Sequence, residues 1–209
     1  MSGKSRQSMQ SAVKQIMLPM VIAVTCIAAS FIWWWQTQVP PIPEHLQNMG
    51  GDFTLQSADG EVALQDFRGK VVLIYFGYTH CPDACPMTMA NWASAFKRLT
   101  EEERARVRGL LVSIDPERDT PETLKEYATF FHPNIIGVTG TLDELRDITW
   151  LFRSDFVIEK EGESEDYEVA HMSFVYVIDP QGKVRGLLAH DSPPQDVIEQ
   201  IRNALRVAS

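Results

Sequence analysis

Cysteine is scarce in this chain of 209 residues. There are three, and Cys26 lies inside a long apolar run, which leaves the pair Cys81 and Cys85 for everything else. One pair is too few to staple a scaffold, so the fold depends on a buried core, and the chain is long enough to supply one. Basic residues are scarce too: 19 Lys and Arg stand against 28 Asp and Glu, a formal balance of −9. That balance excludes nucleic acid as a partner class. Charge of either sign is missing from Gln15 to Pro43, and the chain shows no internal repeat, which excludes a solenoid.

The uncharged stretch contains Met17 to Trp35, apolar apart from Thr25, Ser30 and Pro19. At 1.5 Å per residue such a helix covers roughly 28 Å, the thickness of a bilayer core. Trp33, Trp34 and Trp35 close it where an aromatic belt belongs. Lys4, Arg6 and Lys14 precede it with no acid among them, which keeps the N-terminus in the cytoplasm and exports the rest. The run is too long for a signal-peptide core and lacks a small-x-small cleavage site. Thr25 is a poor residue to precede a lipidated Cys26. The expected organisation is a cytoplasmic segment 1–15, a single transmembrane helix 16–35, a proline-bearing linker 36–50 and a domain 51–209. The part beyond Lys14 carries 16 basic and 28 acidic residues, a balance of −12.

Within the domain, Phe53-Thr54-Leu55 and Val62-Ala63-Leu64 flank the turn Ala58-Asp59-Gly60, which predicts an N-terminal hairpin. Val71 to Phe76 is a continuous β-branched and aromatic run, suited to a central strand buried on both faces. Met89, Trp92, Ala93, Phe96 and Leu99 recur at helical spacing after Pro86. Leu110 to Ile114 reads as a second buried strand. Thr120-Pro121 opens a helix that His132-Pro133 stops, and Ile135 to Val138 is a short strand. Thr141-Leu142-Asp143-Glu144 is a capping box. Ser173 to Ile178 and Val184 to Leu188 form a closing hairpin, followed by a helix from Pro194. This order predicts an α/β class fold: a thioredoxin-like mixed sheet flanked by helices, with its thiols where a strand hands over to a helix.

Two thiols that close either form a disulfide or grip a soft metal ion. Pro82 and Pro86 bias each cysteine away from helical geometry, so Cys85 is expected at the helix N-cap with Pro86 at the first position. Free amides and the helix dipole favour thiolate there. The spacing is C-x-x-x-C, whereas redox sites of this fold more often use C-x-x-C. A wider loop sets two sulfurs apart around an ion, and both uses stay open on spacing alone. A two-thiol metal site needs a third ligand. Among five histidines, His45 falls in the linker, His132 at a helix stop and His190 after the last strand. His80 adjoins Cys81, and neighbours in extended chain point apart. His171, just before a strand, reads by spacing as a surface histidine. The acid-rich run Glu159 to Glu168 reads as a solvated loop, or functionally as a flap that brings His171 in.

Residues 50–206 resemble the Sco (SenC/PrrC) family of anchored, thioredoxin-like copper proteins. The resemblance rests on Phe53-Thr54-Leu55, on Gly69 through Pro86 with its Tyr78-Thr79-His80-Cys81-Pro82-Asp83-Ala84-Cys85-Pro86 core, and on Ser113 through Pro121. It implies copper held by Cys81, Cys85 and His171, and a role in assembling the binuclear copper centre of cytochrome c oxidase subunit II. The implied partners are that subunit, a copper donor protein and, through the N-terminal helix, a bacterial inner membrane with the domain in the periplasm; the mitochondrial inner membrane is the alternative. Thiol-disulfide reduction of the same target by Cys81 and Cys85 is the competing activity. Peroxidases of this fold place a threonine three residues before the reactive cysteine, and Thr79 stands two before Cys81. One departure is visible: the family usually has Asp-His-Ser where this chain has Ala170-His171-Met172. Met172 offers a thioether that copper(I) accepts, although a methionine before a strand is expected in the core.

Overall fold

The computed structural model describes Met17, Met20, Val21 and residues 24–30, 42–159 and 167–206. The chain divides into two units, residues 1–40 and 41–209. In the first, the described residues are helical, with Val24 and Ile27 exposed. Among the described residues no helix is long and apolar enough to cross a membrane, and the expected span 16–35 lies in part outside them.

Among the described residues, the second unit contains nine strands: β1 (Thr54–Ser57), β2 (Gly60–Ala63), β3 (Val71–Gly77), β4 (Val107–Ser113), β5 (Ile135–Val138), β6 (Phe156–Glu159), β7 (Glu168–His171), β8 (Phe174–Ile178) and β9 (Val184–Ala189). Five helices join them: α1 (Ala84–Arg98), α2 (Glu101–Ala105), α3 (Pro121–Phe131), α4 (Leu142–Leu151) and α5 (Pro194–Arg206). The main sheet runs β5-β4-β3-β8-β9. Its β3-β4 and β4-β5 pairs are parallel, and its β3-β8 and β8-β9 pairs antiparallel. This is the mixed, helix-flanked sheet expected from the sequence. The hairpin β1-β2 is also present, and its Gln56 bridges to Thr139, the residue just after β5.

Every residue of β3 is buried, because both faces of the sheet are covered. Val71, Leu73 and Tyr75 pack with α1, α3 and α5, around Met89, Trp92, Leu124 and Ile201. Val72, Ile74 and Phe76 pack on the other side with Leu55, Leu145, Phe152, Phe156 and Val169. Trp92 is fully buried, and its truncation would cost about 3–5 kcal/mol. Part of the expected linker also belongs to this unit. Leu46 is buried, Ile42 and Met49 pack against the core, and the Gly50 amide donates to the Leu151 carbonyl at 2.8 Å.

Thr120 and Thr141 cap α3 and α4 as their sequences predict, each worth about 1 kcal/mol. Two features were not anticipated. Helix α2 starts with a second capping box, Thr100 with Glu103. The acid-rich run does not join α4 to the main sheet as a plain loop: its two ends lie in β6 and β7, an antiparallel pair that bonds to no other strand among the described residues.

Candidate metal centre

The thiol loop begins where β3 leaves the sheet. Asp83 is the N-cap of α1, so Cys85 occupies the second helical position and Pro86 the third, two residues further in than their prolines implied. Proline is tolerated there because first-turn amides have no intrahelical acceptor. The shift aims a free amide at the other cysteine: the Cys85 N–H meets Cys81 Sγ at 3.5 Å. Cys81 is partly exposed and Cys85 fully buried, and both are free thiols.

Gly77 explains how Cys85 is accommodated. A Cβ at this position would lie 2.8 Å from Cys85 Sγ and 2.8 Å from Tyr75 Cε1. Only hydrogen fits between the last turn of β3 and that sulfur.

The histidine arrives from the hairpin. His171 ends β7 opposite Phe156 of β6. Alternation along β7 turns Val169 into the core and leaves Glu168 and Ala170 outside. His171 therefore faces inward, with Tyr75 and Tyr78 edge-on at centroid distances of 5.9 and 6.1 Å. Its Nδ1 lies 3.4 Å from the Met172 carbonyl. The surface position expected for this ring from spacing is corrected by a pairing of strands that the acidic run concealed. Met172 is 42% exposed, not a core residue.

The two sulfurs and a ring nitrogen of His171 lie within 4.8 Å of one another. Metal bonds of about 2.0–2.3 Å span at most about 4.6 Å across one ion, so the three donors close on a common point with sub-ångström movement. The donor set holds no carboxylate. Soft thiolates with an imidazole fit copper(I) and zinc, and do not fit magnesium or calcium.

The thiols are electrostatically unequal. Hydrogen bonding from the Cys85 thiol, from His171 and from the Cys85 and Asp83 amides holds Cys81 far below the usual thiol range, against the opposing effect of burial. Cys85, which donates a hydrogen bond to the Cys81 sulfur and is buried, is pushed well above that range. Burial first, then the charge of Cys85, raises the Tyr75 phenol, so it stays neutral beside the sulfurs.

A second layer pins the loop. The Asp119 carboxylate is fully buried and accepts from the Thr79 amide at 2.9 Å, from the Thr79 hydroxyl and from the Ser113 hydroxyl at 2.6 Å. His80 Nδ1 sits 3.8 Å from Asp119 on the exposed side and stays out of the cluster. His45 is exposed in the turn Glu44–Leu46, and His190 lies past β9. His132 caps α3, buried against Phe96, its Nδ1 accepting from the Asn134 amide at 3.1 Å. Asp115, Arg118, Asp119 and Tyr167 had no role assigned from sequence. The run Ser113 to Pro121 marked their neighbourhood without saying what it holds.

The sequence profile described as SCO1/SenC matches residues 43–206. The SCO2-like protein of Rickettsia conorii is 39% identical over 158 residues, covering 74% of this chain and 76% of that protein. The mitochondrial protein SCO2 of Saccharomyces cerevisiae is 34% identical over 160 residues, covering 76% of this chain and 53% of that protein, so this chain spans about half of the yeast relative. Among solved structures, yeast Sco1 with copper bound superposes with a TM-score of 0.69 at 32% identity, covering 76% of this chain and 89% of that one.

Proposed function

This chain belongs to the SCO1/SenC family, and from that premise we propose that it is a membrane-anchored copper carrier. It holds copper through Cys81, Cys85 and His171 and supplies the binuclear copper centre of cytochrome c oxidase subunit II. The Sco family is one of cytochrome c oxidase assembly proteins. The observation that carries the reading is the convergence of two sulfurs and one imidazole within 4.8 Å, from segments 86 residues apart in sequence. Copper here is cargo. Three soft donors hold the ion firmly yet leave room for an incoming ligand, so exchange to a partner proceeds ligand by ligand. In this proposal residues 16–35 anchor the chain, the start of the proline-bearing stretch that follows connects it, and the domain faces the periplasm of a bacterial inner membrane, where a copper donor protein loads it.

The unequal thiols support a second activity, reduction of a disulfide on the same target. The Cys81 thiolate attacks one sulfur of the target disulfide and expels the other as thiolate. Cys85, once deprotonated, attacks Cys81 Sγ in the mixed disulfide and releases the second target thiol. The target is reduced by two electrons and the Cys81–Cys85 pair is oxidised by two, to be restored by a dithiol reductant.

Replacing His171→Ala in the full chain separates the two activities. Copper affinity falls by more than about 100-fold, beyond the 10–100-fold typical of an outer-shell change, while exchange with a disulfide probe persists. Equal loss of both activities counts against separate roles, and unchanged copper affinity defeats the carrier reading.

A further inference from the structure

The segment linking β4 to α3 folds back on itself, with the Arg118 and Asp119 amides donating to the Asp115 carbonyl at 3.3 and 3.0 Å. Its two buried carboxylates point in different directions. Asp119 holds Thr79 of the thiol loop, as described above. Asp115 accepts from Arg118 Nε at 2.5 Å through one oxygen and from the Tyr167 hydroxyl at 2.5 Å through the other. Arg118 in turn donates to the Tyr167 carbonyl at 3.0 Å, and its guanidinium lies 3.6 Å from the Tyr167 ring centroid. Its other neighbouring ring is Tyr78 of the thiol loop, at 5.7 Å. Tyr167 is thus gripped by its hydroxyl, its ring face and its backbone.

Tyr167 immediately precedes β7, the strand that ends in His171. Because β6 and β7 pair with no strand of the main sheet, no backbone ladder sets where the hairpin sits. A buried Arg–Asp pair adds little net stability over an apolar replacement, so stability alone does not account for it. We infer that Arg118, clamped to Tyr167 by Asp115, is a positioning residue that sets the place of the His171 imidazole against the two thiols. One short segment then registers both halves of the metal centre: Asp119 the sulfurs, Asp115 with Arg118 the imidazole.

The inference rests on the copper reading above, and a double-mutant cycle in the full chain tests it. Arg118→Lys keeps the charge and loses the planar fork and the stack; Tyr167→Phe loses only the hydroxyl. Each lowers copper affinity about 10–100-fold and weakens the imidazole-nitrogen couplings in the electron paramagnetic resonance of the copper(II)-loaded chain. Adding Arg118→Lys to His171→Ala costs no further affinity, because both act through the same ring. Additive losses, or intact nitrogen couplings in Arg118→Lys, overturn the inference. If the unaltered chain binds no copper, the proposed function falls instead, and the metal-free chain decides. Nuclear Overhauser contacts from the His171 ring to Tyr75 and Tyr78 then disappear in Arg118→Lys if the clamp positions the ring. Their retention overturns it.

Discussion

The two halves of the metal centre are built in opposite ways. The thiol half grows out of the most buried strand of the protein. Strand β3 is bonded to β4 on one side and β8 on the other, and the loop after it is tied to a buried carboxylate and continues into a helix of 15 residues. The histidine half is a pair of four-residue strands bonded to each other and to no third strand. Phe156, Tyr167 and Val169 hold it by packing, while Val157 and Ala170 face outward. A carrier must bind its ion and also let it go. In the proposed carrier, two ligands on a rigid frame and one on a separately attached arm would meet both needs: the frame would keep selectivity, and the arm would set the barrier to release.

Three measurements test that contrast, beginning with the largest expected effect. Cys81 is held far below the ordinary thiol range, chiefly by the Cys85 thiol. A thiol reacts as thiolate, and an ordinary one of pKa about 8.5 loses about tenfold in alkylation rate per pH unit below that value. Cys81 stays ionised over this range, so its alkylation rate is flat from pH 8 to pH 5.5, while that of a free thiol falls roughly 200-fold over the same interval. A tenfold decline per unit would show that the frame does not organise the sulfur. Next is hydrogen exchange. Amides of β3 exchange only through global opening, whereas the β6-β7 amides exchange about a hundredfold faster through local opening. Equal protection in both would remove the distinction between frame and arm. The smallest effect is steric. Gly77→Ala places a methyl against Cys85 Sγ and the Tyr75 ring, lowering the urea unfolding free energy by about 1–3 kcal/mol and weakening copper binding with it. A variant with unchanged stability and copper affinity would mean the frame is softer than its packing implies.

Much of the fold was legible because local chemistry and tertiary position agree. The buried run Val71 to Phe76, the helical stripe from Met89 to Leu99 and the threonine caps at Thr120 and Thr141 each state their structure in consecutive residues. Helix α2 was missed although Thr100 and Glu103 spell the same capping box, because its five residues carry no buried stripe. The hairpin was missed for a different reason. Its strands are four residues long, and the acid-rich run between them reads as a solvated loop. The prolines beside Cys81 and Cys85 marked the helix start to within two residues. They did not reveal that an amide of the first turn would be spent on a sulfur.

Sequence alone determined the thiol pair, its place between a strand and a helix, and the soft-metal or redox chemistry open to it, because those depend on residue types a few positions apart. Residue spacing did not reach His171; the family resemblance named it, and the tertiary structure is what brings it to the sulfurs. An imidazole 86 residues beyond Cys85 meets the sulfurs only through a strand register and a buried clamp at Asp115, Arg118 and Tyr167. Such contacts arise from closing long loops around a common core, and no short window of residues encodes them.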